Sequence, residues 1–262
     1  MFGEFGFVFT ESRGATSFRY RGDAEPYPFL GSRQWADLEA ALAPDGLFKN
    51  VRHLLIVCPC PVVYLPHGLN AAVEPMVEDA QGHWASARFI QEQTKMLNLA
   101  LEWQEGKGAA NRLKDLTPPT PVDEARDPVD ERKGVTRTSY PSLSGTPVRN
   151  SESGVLEASP LQSTRRCTFV GGDVHVGGHT QLFKHGHLVM EQLVSSAIAN
   201  HILPSLAFAI GQMVQNAYTQ LEDGWSFHHQ PYTRFRNYGL IDTQSLPGDK
   251  KPQVVTHIIA AE

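Results

Sequence analysis

The strongest constraint on the fold of this chain is an abrupt change in composition between residues 107 and 165. This segment runs through TPPTPVDEARDPVDERKG into a mixture of Ser, Thr, Pro and Gly, and it has almost no large apolar residues. Burial of so few apolar groups does not offset the conformational entropy that ordering removes. The sequence therefore predicts a long disordered insertion at 107–165.

The two flanks of this insertion are expected to share one hydrophobic core, because neither has enough strands and helices for a core of its own. Residues 1–106 and 166–262 are thus predicted to form one discontinuous domain. The alternative interpretation of 107–165 is an interdomain linker whose Ser and Thr side chains are open to phosphorylation. In either case the segment is a candidate contact for a protein partner.

The apolar pattern on both flanks predicts a mixed α/β architecture. Strands are expected at 5–9, 54–63, 167–170 and from 188 onward, and helices at 32–43, 86–106 and 203–221. The final strands, FRNYGLIDT and QVVTHIIAA, flank the turn sequence SLPGDKKP and should pair as an antiparallel hairpin. Phe5, Phe7 and Phe9 alternate with other residues, which indicates a strand with one heavily packed face.

Charge and hydropathy argue against two classes of partner. The 262 residues carry a net charge of −5, so the chain has no basic surface of the kind that binds nucleic acid. The run LLIVCPCPVVYL contains two prolines and is too short to cross a bilayer. Three cysteines cannot form a disulfide framework, which favours a reducing compartment, and we expect a cytoplasmic protein without a transmembrane segment.

The candidate functional residues lie in RCTFVGGDVHVGGHTQL, at 166–182. A short buried strand is followed by Gly171 and Gly172, which are expected to supply the unusual backbone conformations of a sharp turn. Asp173 and His175 come next, one position apart, so that a carboxylate and an imidazole can converge on a cation beyond the strand. The alternative is that Asp173 is an ordinary turn residue and His175 a satisfied polar group.

Other residues with metal-binding side chains have more ordinary interpretations. His185 and His187 bracket Gly186 in KHGHL, which predicts a hairpin turn, and His179 can join either the turn or the site. Cys58 and Cys60 are interpreted as small buried residues rather than as ligands for a soft metal. His228 and His229 are placed in a polar loop without a role. A zinc hydrolase built from the histidines is a weaker alternative, since no His-Glu-x-x-His motif is present.

Seven features occur in an order that is typical of one enzyme family. They are Glu11-Ser12-Arg13, FLGSRQWADLEAAL, the core strand ending at Pro61, Trp84 with its helix, GGDVH, SSAIAN and RNYGLIDT. With them the chain resembles the C-terminal part of the PhoD-like metallophosphatases, also called the alkaline phosphatase D family, which have a calcineurin-like metallophosphoesterase fold. The resemblance implies part of a two-sheet β-sandwich flanked by helices.

The resemblance also implies a function and a set of site residues. Members of the family hydrolyse phosphomonoesters or phosphodiesters with metal ions such as iron and calcium. The GGDVH match implies that Asp173 and His175 are metal ligands and that His175 is also catalytic, and Arg13 is the candidate for binding a phosphate oxygen. Glu11 stands where the family more often has Asp, which departs from the pattern.

The family's other metal ligands lie upstream of the matched segment, and residues 1–50 do not supply them. Two explanations remain open: the chain is a fragment of a complete phosphatase, or it is a catalytically inactive PhoD-like binding module. The fragment explanation predicts an exposed sheet edge and an apolar patch where the missing part would pack.

Overall fold

The computed structural model describes residues 3–12, 28–75, 82–106, 135–141, 165–196, 218–230, 233, 235–244 and 253–261. Its helices are α1 (Ser32–Leu42), α2 (His67–Val73) and α3 (Ile90–Glu105). Its strands are β1 (Phe5–Phe9), β2 (His53–Val57), β3 (Val135–Pro141), β4 (Arg166–Gly171), β5 (Gly177–Lys184), β6 (His187–Ser195), β7 (Thr219–Gln220), β8 (Trp225–His229), β9 (Arg236–Gln244) and β10 (Gln253–Ala261). The expected mixed α/β class is confirmed.

A seven-stranded sheet with the order β1-β2-β4-β6-β5-β8-β7 forms the centre of the fold. The first four strands in this order are parallel, whereas β5, β8 and β7 pair antiparallel with their neighbours. The nearly continuous apolar sequence of β2 fits a strand of a parallel sheet that is buried on both faces. The parallel arrangement brings the carboxyl ends of β1, β2, β4 and β6 to one edge of the sheet.

The main core lies between this sheet and helices α1 and α3. Ile56 and Phe169 on neighbouring strands belong to the same buried cluster as Met96 and Trp103 of α3. The carboxylate of Glu92, in the first turn of α3, accepts hydrogen bonds from the backbone N–H groups of Phe29 and Leu30 and from the indole of Trp35. These bonds fix the segment before α1 against α3. Among the described helices, none is both long and apolar enough to span a membrane.

A second sheet has the order β3-β10-β9 and contacts β5 and β6 of the main sheet. The predicted C-terminal hairpin is confirmed, with β9 and β10 antiparallel from the Gln244–Gln253 pair to the Arg236–Ala261 pair. The two sheets approach closely at Gly239, where an added Cβ would lie 3.1 Å from the Leu193 side chain. Two layers of sheet are therefore present, and the metallophosphatase-like form of the sandwich stays a prediction.

Strand β3 comes from the segment that was predicted to be disordered. Its sequence, VTRTSYP, contains β-branched and aromatic residues that suit a strand, and it pairs antiparallel with β10. For segment 107–165 as a whole, disorder stays a prediction. Residues 107–134 and 142–164 lie outside the described part of the chain.

The prediction of a heavily packed phenylalanine face on β1 is wrong. Phe7 and Phe9 are 42% and 74% exposed. The opposite face of β1 packs inward, since the Phe48 ring fills the space beside Gly6, where a Cβ would lie 2.6 Å from a ring carbon. Val8 on that face packs against the main hydrophobic cluster, so Phe7 and Phe9 lie on the face of β1 turned away from it.

Two further local predictions were wrong, and one helix was not predicted. Tyr218 and Leu221, expected near the end of a helix, flank the short strand β7, and the rest of that helix lies outside the described residues. Helix α2 lies between the predicted strand at 54–63 and the predicted helix at 86–106, where the sequence predicts no element. His228 and His229, also expected in a loop, belong to β8.

Candidate functional site

The GGDVH sequence lies where the parallel strands end. Residues 172–176 connect the carboxyl end of β4 to β5, next to the carboxyl ends of β2 and β6. In sheets of this type the carboxyl edge is where ligands most often bind, because the strands end there and the loops are free to carry functional side chains. The position is therefore the one expected for the candidate site.

Glycine allows β4 to approach the loop after β2 closely. A Cβ at Gly171 would lie 2.8 Å from the Pro61 Cα, so any side chain would force the two segments apart. The unusual backbone conformations, however, are not at Gly171 and Gly172 as predicted. They are at Asp173, with φ 67°, and His175, with φ 56°. Left-handed conformations at residues other than glycine cost free energy and are concentrated at functional sites.

The side chains of the two predicted ligands differ in burial. Asp173 is exposed and His175 is partly buried. The Nδ1 atom of His175 is buried and has no hydrogen-bond partner among the described residues. Such an atom normally has a partner, because a buried polar group without one is costly. A bound cation or another ligand would satisfy it.

The donor set does not fit the metal cluster that the family resemblance implies. In the described part of the chain, no three side chains of His, Cys, Asp or Glu come together in an arrangement able to hold a metal ion. A site for two or three metals needs more than one carboxylate and one imidazole. Asp173 and His175 can contribute ligands, but the described residues do not complete the site.

Arg13, the predicted phosphate-binding residue, lies outside the described residues, so its role stays a prediction. Its neighbours continue the chain past the end of β1. The backbone N–H of Glu11 donates to the side-chain oxygen of Gln34 at 2.8 Å, and the Gln34 side chain returns a bond to the Glu11 carbonyl at 2.8 Å. These bonds attach the residues after β1 to helix α1.

The GGDVH loop is held in place by β6 and by the residues before β9. The Ser196 hydroxyl accepts a hydrogen bond from the Val174 N–H at 3.1 Å and donates to the Val176 carbonyl at 3.4 Å. The backbone of Gly177 exchanges two hydrogen bonds with Thr233, at 2.9 and 2.7 Å. The Val174 and Val176 side chains pack with Val194 in a small cluster that Tyr64 also contacts.

The three cysteines are free and buried. Burial raises the pKa of the Cys58 and Cys60 thiols to about 12, and it raises the pKa of Cys167 as well. The thiols therefore stay protonated at neutral pH, and the thiolate is the form that ligates metals. The interpretation of Cys58 and Cys60 as small buried residues is confirmed.

The other histidines of the 166–187 region lie away from the loop or are already paired. His179 Nε2 lies 3.3 Å from a carboxylate oxygen of Glu191, and both side chains are buried. His185 and Gly186 both have positive φ, 50° and 80°, as a two-residue type I′ hairpin turn requires. The predicted turn in KHGHL is thus confirmed, and it lies at the end of β5 opposite to His175.

His229 has a structural role that sequence reasoning missed. Its Nε2 lies 2.8 Å from the Tyr64 carbonyl and its Nδ1 lies 2.8 Å from the Thr180 hydroxyl. A carbonyl only accepts, so Nε2 carries the proton and Nδ1 accepts from Thr180. Burial is the largest effect that lowers the pKa of His229 to about 4, which keeps the ring neutral. The alternation of Trp225, Phe227 and His229 was a signal for a strand.

A groove of about 720 Å³ lies elsewhere, between α1 and α3. Leu42 and Leu99 line it, and an ion pair of 2.7 Å joins Lys95 to Glu39 at its side. No residue of the GGDVH loop lines this groove. The groove is therefore separate from the candidate site in the loop.

Comparisons with known proteins do not assign the chain to a family. No family model, curated protein or solved structure matches the chain. The family named in the sequence analysis therefore rests on the residues and their order.

Proposed function

We propose that this chain carries part of a PhoD-like, metal-dependent phosphoesterase site, in which Asp173 and His175 are metal ligands and His175 is the candidate catalytic residue. The observation that carries the proposal is the buried Nδ1 atom of His175, which has no hydrogen-bond partner among the described residues and lies in a loop with two left-handed non-glycine residues. The position of this loop at the carboxyl edge of the parallel strands supports it further.

Metal ions would supply the electrostatic part of the chemistry. A phosphate ester is anionic, and a bound cation such as iron or calcium screens its charge and lowers the pKa of bound water. Within the proposal, Arg13 binds a phosphate oxygen, which suits the planar donors of a guanidinium. By the resemblance, the family's remaining ligands lie upstream of the matched segment, so Asp173 and His175 form only part of the metal site.

The alternative proposal is a catalytically inactive PhoD-like binding module, with segment 107–165 as the contact for a protein partner. It is favoured by the finding that the described residues hold no group of three or more metal-ligating side chains. The exposed Phe7 and Phe9 on the edge strand β1 are consistent with either proposal, because an incomplete sheet and a protein contact both leave apolar surface exposed.

The deciding experiment is hydrolysis of a chromogenic phosphomonoester and a chromogenic phosphodiester by the purified chain. Assays contain iron plus calcium, manganese or zinc, and compare wild type with Asp173→Asn. Asp37→Asn is the matched control, because Asp37 is an exposed carboxylate on α1. Metal-dependent turnover that is lost only in Asp173→Asn supports the enzyme.

Two other results argue against an active enzyme with Asp173 as a ligand. Turnover that Asp173→Asn leaves intact removes Asp173 from the site. No turnover with any metal from a folded chain leaves two explanations, a fragment that lacks part of the metal site and the inactive binding module.

A further inference from the structure

Ser196 follows the last residue of β6 and contacts the GGDVH loop from the neighbouring strand. Its hydroxyl accepts from the N–H of Val174 at 3.1 Å and lies 3.4 Å from the carbonyl of Val176. Val174 is the residue between the two candidate ligands, and Val176 directly follows the second. The two hydrogen bonds therefore bracket His175.

A hydroxyl is suited to this position because it donates and accepts at the same time. The loop here makes no strand pairing of its own, since β5 begins only at Gly177. Val174 is buried, with 7% of its surface exposed, so its N–H has little access to water. Without the Ser196 hydroxyl this N–H would have no hydrogen-bond acceptor, and a different loop conformation that exposes it to water would be lower in free energy.

The ends of the loop are fixed independently of Ser196. At one end Gly171 lies against Pro61, and at the other Gly177 exchanges backbone bonds with Thr233. The freedom that remains is in 172–176, where Asp173 and His175 hold left-handed conformations. These conformations are disfavoured locally, so contacts from elsewhere must maintain them.

We propose that Ser196 is a positioning residue: its hydroxyl holds Val174 and Val176 so that Asp173 and His175 stay in left-handed conformations and present their side chains together before a ligand arrives. The claim that Ser196 assists metal binding rests on the proposed function. The claim that Ser196 maintains the backbone conformations of Asp173 and His175 does not rest on it.

The test uses the full chain with Ser196→Ala, Ser196→Thr and the control Ser195→Ala. Ser195 is the adjacent serine, and its hydroxyl donates instead to the Asn237 side chain at 3.3 Å. We expect exchange of the Val174 amide hydrogen to be about tenfold faster in Ser196→Ala than in wild type, while Ser195→Ala leaves the rate unchanged. The NMR coupling constants that report φ at Asp173 and His175 should change in Ser196→Ala, and Ser196→Thr should restore both readouts.

Titration with Mn²⁺ alone tests the link to the site. Ser196→Ala is expected to raise the Kd for Mn²⁺ roughly tenfold, as is typical when a residue that orients a ligand is lost. Unchanged Val174 exchange, or unchanged φ at Asp173 and His175, overturns the positioning role. If Val174 exchange and the φ angles change but the Kd for Mn²⁺ does not, Ser196 has no role in metal binding. If wild type binds no Mn²⁺, the metal proposal fails, and the exchange and coupling data still decide the role of Ser196.

Discussion

The side-chain amide of Gln192 forms two hydrogen bonds with the backbone of Val63. Its Nε2 donates to the Val63 carbonyl at 2.6 Å, and its Oε1 accepts from the Val63 N–H at 3.1 Å. Both residues are fully buried. The segment after β2 has left the sheet at this point, so the glutamine supplies the pairing that a neighbouring strand would otherwise give.

Replacing this amide should be costly. Gln192→Leu keeps most of the side-chain volume but leaves a buried N–H and a buried carbonyl unpaired, and we expect the free energy of unfolding to fall by about 2–4 kcal/mol. Urea denaturation followed by circular dichroism measures this. The control is Gln181→Leu on β5, whose amide oxygen accepts from the side chain of Gln230 rather than from buried backbone. An equal effect of both substitutions would contradict the role assigned to Gln192.

His229 should make stability depend on pH in the mildly acidic range. Its pKa is lowered to about 4 in the folded chain, below the ordinary value of 6.5, because burial disfavours the charged ring. Below pH 6.5 His229 binds a proton in the unfolded chain but not in the folded chain. Its contribution to the free energy of unfolding is therefore fully present above pH 6.5 and is lost as the pH falls towards 4. Between pH 7 and 4, wild type should lose about 3 kcal/mol more than His229→Gln.

Chemical denaturation at several pH values measures this difference, and the imidazole resonances of His229 report the titration directly. His187→Gln on the hairpin removes an imidazole from the same sheet and should follow the wild-type profile. A wild-type profile parallel to that of His229→Gln would show that the ring is not held neutral.

Asp223 should contribute stability that disappears at lower pH. Its carboxylate lies 2.9 Å from the Lys184 ammonium and accepts from Asn98 at 2.9 Å. The Lys184 bond is the largest cause that lowers the pKa of Asp223 below its usual value of 3.8. The contribution is present above about pH 4 and is lost as the pH falls through the folded-state pKa.

The Asp223 side chain is 55% exposed, so solvent screening limits the effect to about 1 kcal/mol at most. Asp223→Asn should be less stable than wild type at pH 7, and the gap should narrow at pH 2–3. Glu222→Gln removes the same charge from the same turn and serves as the control. If the difference in stability between wild type and Asp223→Asn does not depend on pH, the loss of stability comes from the turn backbone and not from the carboxylate charge.

The left-handed backbone of His175 predicts an unusual order of stability. His175→Gly should be more stable than His175→Ala by about 1–2 kcal/mol, because only glycine adopts φ near 56° without strain. At His187, which begins β6 as an ordinary strand residue, the order should reverse, since glycine weakens strands. Thermal unfolding of the four variants measures both pairs. The same order at both positions would argue against the strained conformation.

Elements with local signals were predictable from the sequence. The turn at His185 and Gly186 and the β9–β10 hairpin follow from short-range patterns that decide the local structure. The alternation of Phe5, Phe7 and Phe9 predicted a strand correctly but not its environment. Alternation shows that one face is apolar, whereas burial depends on which elements cover that face.

The candidate site was only partly predictable, for a similar reason. The sequence placed Asp173 and His175 in a tight turn, but glycines on both sides offered easier places for positive φ. Which residue takes that conformation depends on Ser196, which is distant in sequence. The role of His229 likewise depends on Thr180 and Tyr64, and no local pattern links these three residues.

Leu54 and Cys167 pair side by side in the main sheet, although the whole of segment 107–164 lies between them along the chain. In a polymer chain, the entropy lost on bringing two residues together grows with the logarithm of the number of residues between them, at about 0.6 kcal/mol for each doubling. By this scaling, a change in the number of residues within 107–134 or 142–164 changes the free energy of folding very little. Evolution can insert or delete residues there while the pairing of β2 with β4 persists.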